Sequence, residues 1–244
     1  MKQTQPTVLY IVLIIAMATW GLSWTNGKIL GNYTTVPILM VWRFFIAALA
    51  MLLVLIFTKT PWRINRMGGV IILVSAMLLV LYNHFYFTGT HYGAAGAGGV
   101  LVTTLNPVLT FMLISGMNRE LPQGRALAGI ILGILGGSIL INLWQAGWTA
   151  IWSSGNQYFV LCAISWAFLA VISARINKHM STLTFSFWLY LASGFMALLF
   201  VGDGDLLAVL SYEFNFWLNL FSVSVGAMAF ATTAYFFATS RLGA

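Results

Sequence analysis

Tyr82-Asn83-His84-Phe85-Tyr86-Phe87-Thr88-Gly89-Thr90-His91-Tyr92-Gly93-Ala94 runs on through a glycine-rich stretch to Asn106-Pro107, and its reading decides the fold. Two long apolar runs meet here at a connector of three residues, 91–93. Amide and imidazole groups sit inside them. Hydrocarbon offers such groups no hydrogen-bond partner, so each needs one inside the protein or in a water-filled cavity. Polarity has been retained at this place, and the stretch marks a candidate path for a solute.

The rest of the chain supports a membrane reading. Of 244 residues, 61% are hydrophobic, 15% aromatic and only 6% charged, whereas a soluble surface needs roughly 25% charged residues. The formal charge of +7 comes from eleven scattered Lys and Arg. No basic cluster forms, so a nucleic-acid partner is not expected. The one cysteine, Cys162, falls mid-span, which excludes a disulfide framework and a cysteine metal set and leaves a packing role. Nothing calls for a cofactor. Lys2, the run Val8 to Ile15 and Ala16-Met17-Ala18 have the look of a signal peptide. The apolar run, however, continues through Trp20-Gly21-Leu22-Ser23-Trp24, so an uncleaved first span is expected.

Hydropathy gives eight spans, at 7–24, 36–57, 68–90, 94–116, 126–144, 157–174, 183–202 and 214–238, each near the ~20 residues that cross a bilayer core. With the N-terminus inside, nine link cations (Lys2, Lys59, Arg63, Arg66, Arg119, Arg125, Arg175, Lys178 and Arg241) lie on the cytoplasmic side, against Lys28 outside. Arg43 alone falls within a span. A multi-pass protein of a bacterial inner membrane, N-terminus cytoplasmic, is the expectation.

The chain also repeats itself. Trp20 and Trp42 recur as Trp166 and Trp188 at an offset of 146 residues, and Phe87 to Ala94 recurs as Phe237 to Ala244 at an offset of 150. The first repeat, 1–144, holds five spans; the second, 145–244, holds three. An odd number of spans forces the second repeat into the membrane upside down, an arrangement of secondary transporters. The fold class expected is therefore an all-α polytopic bundle of inverted five-helix repeats, with eight of ten helices present. Completed by its own symmetry, the chain would reach roughly 295 residues.

Several of these residues carry a family resemblance. Trp20-Gly21, Pro37 with Arg43, Tyr92-Gly93-Ala94, Asn106-Pro107 and Asn118-Arg119-Glu120-Leu121 before a glycine-rich fifth span resemble the EamA-type drug/metabolite transporters, as does the ending Arg241-Leu242-Gly243-Ala244. The resemblance implies ten helices, a central cavity, and export or exchange of small metabolites such as amino acids. Two alternatives stay open: a membrane fragment without transport, and a nucleotide-sugar or phosphate exchanger of the same architecture.

The candidate solute-binding residues are Arg43, Trp20, Asn83, His84, Tyr86, Asn106 and Trp166. Arg43 lacks any acid within the spans and would anchor a carboxylate or phosphate, or else serve the structure by snorkelling or bonding carbonyls. Asn83 and His84 are adjacent, about 100° apart on a helix, so at most one faces a cavity. His84 could titrate near neutral pH, and interhelical bonding is the plainer role for both. Pro107 frees the carbonyl of Thr103 and makes a hinge, unless Thr103 or Thr104 hydroxyls repair the break. Trp20 and Tyr86 are cavity candidates, whereas Trp24 reads as interfacial belt. Gly129, Gly133 and Gly137 form a helix-packing face, which leaves room for a homodimer. Gly93 to Gly99 lacks dinucleotide spacing and lets the fourth span pack closely. Glu120 reads as a structural acid near the start of the fifth helix. With no carboxylate pair, metal set or activated nucleophile in the spans, an enzyme is not expected.

Overall fold

The computed structural model describes residues 6–119, 124–140, 143–147, 149–152 and 155–242. Glu120 and Leu121 of the resemblance, Lys2 and Gly243-Ala244 lie outside them. The described chain is a helical bundle: α1 (Pro6–Leu30), α2 (Val36–Thr58), α3 (Arg66–Tyr92), α4 (Ala95–Asn118), α5 (Gly124–Leu140), the single turns α6 (Leu143–Ala146) and α7 (Thr149–Trp152), α8 (Asn156–Ser173) and α9 (Thr182–Leu198). One last helix begins as α10 (Phe214–Phe221), continues as a π-helical segment (Ser222–Thr232) and ends as α11 (Thr233–Leu242). Six of these helices are long and apolar enough to cross a membrane, and the apolar runs Leu127–Ile139 and Thr182–Leu198 are shorter.

Local chemistry sets the boundaries. Pro37 sits in the first turn of α2, where its missing N–H costs nothing. The Asn65 side chain accepts from Gly68 N (2.7 Å) and opens α3, and Ser181 Oγ accepts from Thr184 N (3.1 Å) and opens α9. The expected end of the first span is corrected: α1 continues six residues past Trp24 to Leu30. Its polar last turns find partners there. Asn26 Nδ2 donates to Ser222 Oγ (2.7 Å), and Lys28 Nζ donates to the carbonyls of His91 (2.9 Å) and Gly93 (3.1 Å).

The repeat in the sequence appears as exchanged contacts. Trp42, near the start of α2, donates its indole N–H to Leu206 O, beyond the end of α9 (2.9 Å). Trp188, near the start of α9, donates to Trp62 O, beyond the end of α2 (3.0 Å). The start of each helix therefore lies beside the end of the other, so α2 and α9 are antiparallel partners. In the same way α1 lies on the π segment and α3 lies on α8. This is the inverted arrangement that an odd number of spans per repeat requires.

Glycine decides how closely the fourth helix approaches. A Cβ added at Gly98 would lie 2.6 Å from the Phe159 ring and 2.8 Å from Trp24, and one at Gly89 would lie 2.5 Å from Phe159. The Phe159 ring fills the hollow both leave, which locks α3, α4 and α8 together. Of the three glycines expected to form a packing face on α5, Gly137 meets the Thr104 side chain, 2.7 Å from its added Cβ, and among the described residues Gly129 and Gly133 have nothing within 4 Å.

Candidate functional site

Residues from α1, α2, α3, α4, α8, the π segment and α11 enclose a cavity of about 480 Å³. Arg43 is the one charged side chain among its described lining residues. It enters from α2, is 4% exposed, and lies with its guanidinium carbon 4.9 Å from the Tyr86 ring centre and 5.4 Å from that of Phe87. Its Nε and Nη1 are buried and donate to nothing. Placing an arginine at membrane depth costs about 2.5–3.5 kcal/mol on insertion scales. A desolvated cation–π contact returns about 2 kcal/mol, so the rings offset much of that cost. The unmade N–H bonds remain, at ~1–3 kcal/mol for each group left unpaired.

Beside Arg43 stands an aromatic cluster. Trp20 meets Trp166 edge to face at 5.2 Å, and Tyr235 lies 5.4 Å from Trp20 and 5.5 Å from Trp166. Tyr82 lies 4.9 Å from Trp166. Trp20 is held by its indole N–H, which donates to Ala227 O (2.9 Å). The opposite wall is α4, where Thr103, Asn106, Pro107 and Thr110 all line the cavity. The Asn106 Oδ1 is buried and accepts from nothing. The Thr103 hydroxyl donates to Gly99 O (2.6 Å) and Val100 O (3.2 Å), so it bonds the preceding turn and not its own carbonyl, the one Pro107 frees.

Five of the expected residues thus converge: Arg43, Trp20, Asn106, Pro107 and Trp166. Three lie elsewhere. Tyr86 is buried behind Arg43, with its hydroxyl donating to Ser23 O. Asn83 is fully buried; its Nδ2 donates to Leu79 O (2.8 Å) and its Oδ1 has no partner. His84 is half-buried with its ring edge-on to Phe85 at 5.8 Å, and it is absent from the cavity lining. For Asn83 and His84 the reason is rotation: Tyr82 faces the cavity, and each step along α3 turns about 100° away. Tyr86, four residues on, shares the Tyr82 face but has Arg43 and Trp24 packed on its ring. The belt expectation for Trp24 is also corrected. It is 7% exposed, packed on Tyr86 (4.9 Å) and Phe159 (5.7 Å), and it lines the cavity one turn from Trp20.

Sequence reasoning missed Tyr82, Thr103, Thr110, Thr232, Tyr235 and Thr239. A signal was present. Thr103, Asn106 and Thr110 are spaced i, i+3, i+7, and Thr232, Tyr235 and Thr239 have the same spacing, so each set makes one polar stripe along an apolar helix. A second hollow, about 380 Å³, lies on the other side of the last helix between Val12, Met51, Val54, Ala229 and Phe237. Its lining is apolar except for Thr233, whose hydroxyl is already bonded to Ser186 Oγ (2.9 Å).

Comparison with known proteins follows the same outline. Residues 7–143 match the model of the EamA-like transporter family. The uncharacterized transporter YyaM of Bacillus subtilis (strain 168) is 25% identical over 189 residues, 73% of this chain and 60% of that protein. The uncharacterized transporter YetK of the same organism is 27% identical over 188 residues, 72% of this chain and 54% of that protein. The uncharacterized transporter sll0355 of Synechocystis sp. (strain ATCC 27184 / PCC 6803 / Kazusa) is 24% identical over 248 residues, covering 95% of this chain and 74% of that protein. A solved crystal structure shares the fold with a TM-score of 0.67 at 16% identity, over 96% of this chain and 80% of that one.

Proposed function

The chain belongs to the EamA-like transporter family, and on that premise we propose that its central cavity binds a small organic solute carrying a carboxylate, amino-acid-like in size, for passage across a bacterial inner membrane. One observation carries the reading: Arg43 is buried at the cavity with two nitrogens that donate to nothing. A carboxylate accepts a guanidinium fork in two parallel bonds, so it would remove the deficit that the protein leaves. Asn106 Oδ1, also orphaned, offers an acceptor for an N–H on the same solute. The clustered rings of Trp20, Trp166, Tyr82 and Tyr235 would hold its apolar part. A phosphate or nucleotide-sugar exchanger fits less well, because Arg43 is the one cation at this cavity among the described residues.

The two inverted halves would move against each other around this fixed site, exposing it to each side in turn. The N-terminus would face the cytoplasm, which places nine of ten link cations inside. A cysteine in place of Arg63 should then resist an impermeant thiol reagent added outside, and one in place of Asp203 should react; the reverse pattern would invert the topology.

The test of the solute class is isothermal titration of the purified protein with matched probes. Phenylalanine, which keeps its carboxylate, should bind at least tenfold more tightly than phenethylamine, which lacks it. If phenethylamine binds equally well, Arg43 does not select an acid and the reading fails.

A further inference from the structure

α10, the π segment and α11 form one continuous helix, and it is the partition between the two hollows. Thr232, Tyr235 and Thr239 face the cavity, while Ala229, Thr233 and Phe237 face the apolar groove. π-helical closure runs i to i+5, one residue more than α-helical closure, and it occurs mostly as single turns at functional places. Here it extends from Ser222 to Thr232.

Relaxing the π turn closed on Ala227 to α-helical closure, with α10 held in place, would withdraw one residue. Every later residue would then slide by one position, about 1.5 Å along the axis and 100° around it. Each place on the wall would be taken by the residue before its present occupant. The residues before Thr232, Tyr235 and Thr239 are Ala231, Ala234 and Ala238. The polar and aromatic stripe would become a row of alanines. Away from the cavity the same slide exchanges like for like: Thr232 takes the place of Thr233, Tyr235 that of Phe236, and Phe236 that of Phe237. Thr233, entering the place of Ala234 at the groove, and Phe237, entering that of Ala238 one turn from the helix end, need new room.

We propose that this helix is a two-register switch, with the π register presenting Thr232, Tyr235 and Thr239 to the solute and the α register replacing them with alanine. The π register is held by side chains from two other helices and by one of its own, Thr232. Ala227 O accepts from Trp20 Nε1 (2.9 Å) and Thr232 Oγ1 (3.0 Å), and Met228 O accepts from the Tyr190 hydroxyl (2.9 Å). Trp20 itself lines the cavity, so a solute that displaces its ring loosens the latch. The switch goes beyond the solute reading above and needs no particular ligand.

Single cysteines on a Cys162→Ala background test it, with a small thiol reagent that enters the cavity. In the π register Thr239 lines the cavity, whereas Ala231 and Ala238 are absent from its lining. If the helix switches, Ala231→Cys and Ala238→Cys should react within about tenfold of the rate at Thr239→Cys. Deleting Ala229 takes out the residue that the slide would withdraw and leaves Tyr235 facing inward, so both rates should drop at least tenfold while Thr239→Cys stays reactive. Trp20→Phe, which removes the latch donor, should raise both rates several-fold; this arm decides alone if the deletion variant does not fold. Failure of Ala231→Cys and Ala238→Cys to react in the unaltered helix, or rates indifferent to Trp20→Phe, would overturn the switch.

Discussion

Two hollows flank the same helix and differ in how they treat polarity. The groove of about 380 Å³ carries one hydroxyl in its lining, Thr233, and that hydroxyl is bonded to Ser186. The cavity of about 480 Å³ keeps Arg43 Nε, Arg43 Nη1 and Asn106 Oδ1 unpaired. Each such group costs ~1–3 kcal/mol when buried without a partner. A fold under no other constraint would treat both hollows as it treats the groove. Where local rules are broken at one place and kept beside it, the broken place is the expected functional site.

The contrast can be broken by mutation, most sharply at Arg43. Arg43→Ala should weaken binding of a carboxylate solute at least ~30-fold, since removing one partner of a buried charged pair typically costs 2–5 kcal/mol. Arg43→Lys should recover only part of this, because an ammonium cannot reproduce the planar fork. Titration calorimetry reads both, and near-normal affinity in Arg43→Ala would erase the difference between the two hollows.

Asn106→Ala should have a smaller effect, about fivefold to tenfold, the worth of one hydrogen bond of ~1 kcal/mol. The loss should appear for a zwitterion and vanish for an acid without an N–H donor. Equal losses for both would assign Asn106 to packing.

On the apolar side the expected effect is smallest. Ala50, which lines the groove, can be enlarged to leucine to fill it. Ala50→Leu should change affinity less than about twofold and leave the thermal midpoint unchanged or raised, as cavity-filling changes often do. A large loss of binding would mean that the groove belongs to the solute's path.

Sequence alone carried the helices and marked the two tryptophans, Trp42 and Trp188, that join α2 and α9, because hydropathy and paired tryptophans depend only on spacing. Arg43 was legible for a related reason, since a cation amid apolar residues stands out wherever it points. What failed depended on rotation and on partners. Asn83 and Tyr82 are neighbours, and one helical step decides which faces the cavity. Trp24 was assigned to an interface, yet it packs on Phe159, with which Gly98 lets it share a hollow. The π register of Ser222–Thr232 is set by donors on Trp20 and Tyr190, both distant in sequence. Its residues keep the last helix apolar enough to read as an ordinary span, so hydropathy could not reveal it. Gly129 and Gly133 match a packing motif and meet no neighbour among the described residues, and a motif cannot say which helix will arrive.

On the proposed function, Arg43 is kept for a ligand at a cost to the fold. Arg43→Leu tests it when thermal midpoint and solute affinity are measured on the same purified sample. An apolar side chain of fair size removes the unpaired donors while keeping contact with Tyr86 and Phe87. An unchanged or higher midpoint together with loss of detectable binding of phenylalanine is the expected result. A clearly lower midpoint with binding retained would make Arg43 a structural residue and contradict it.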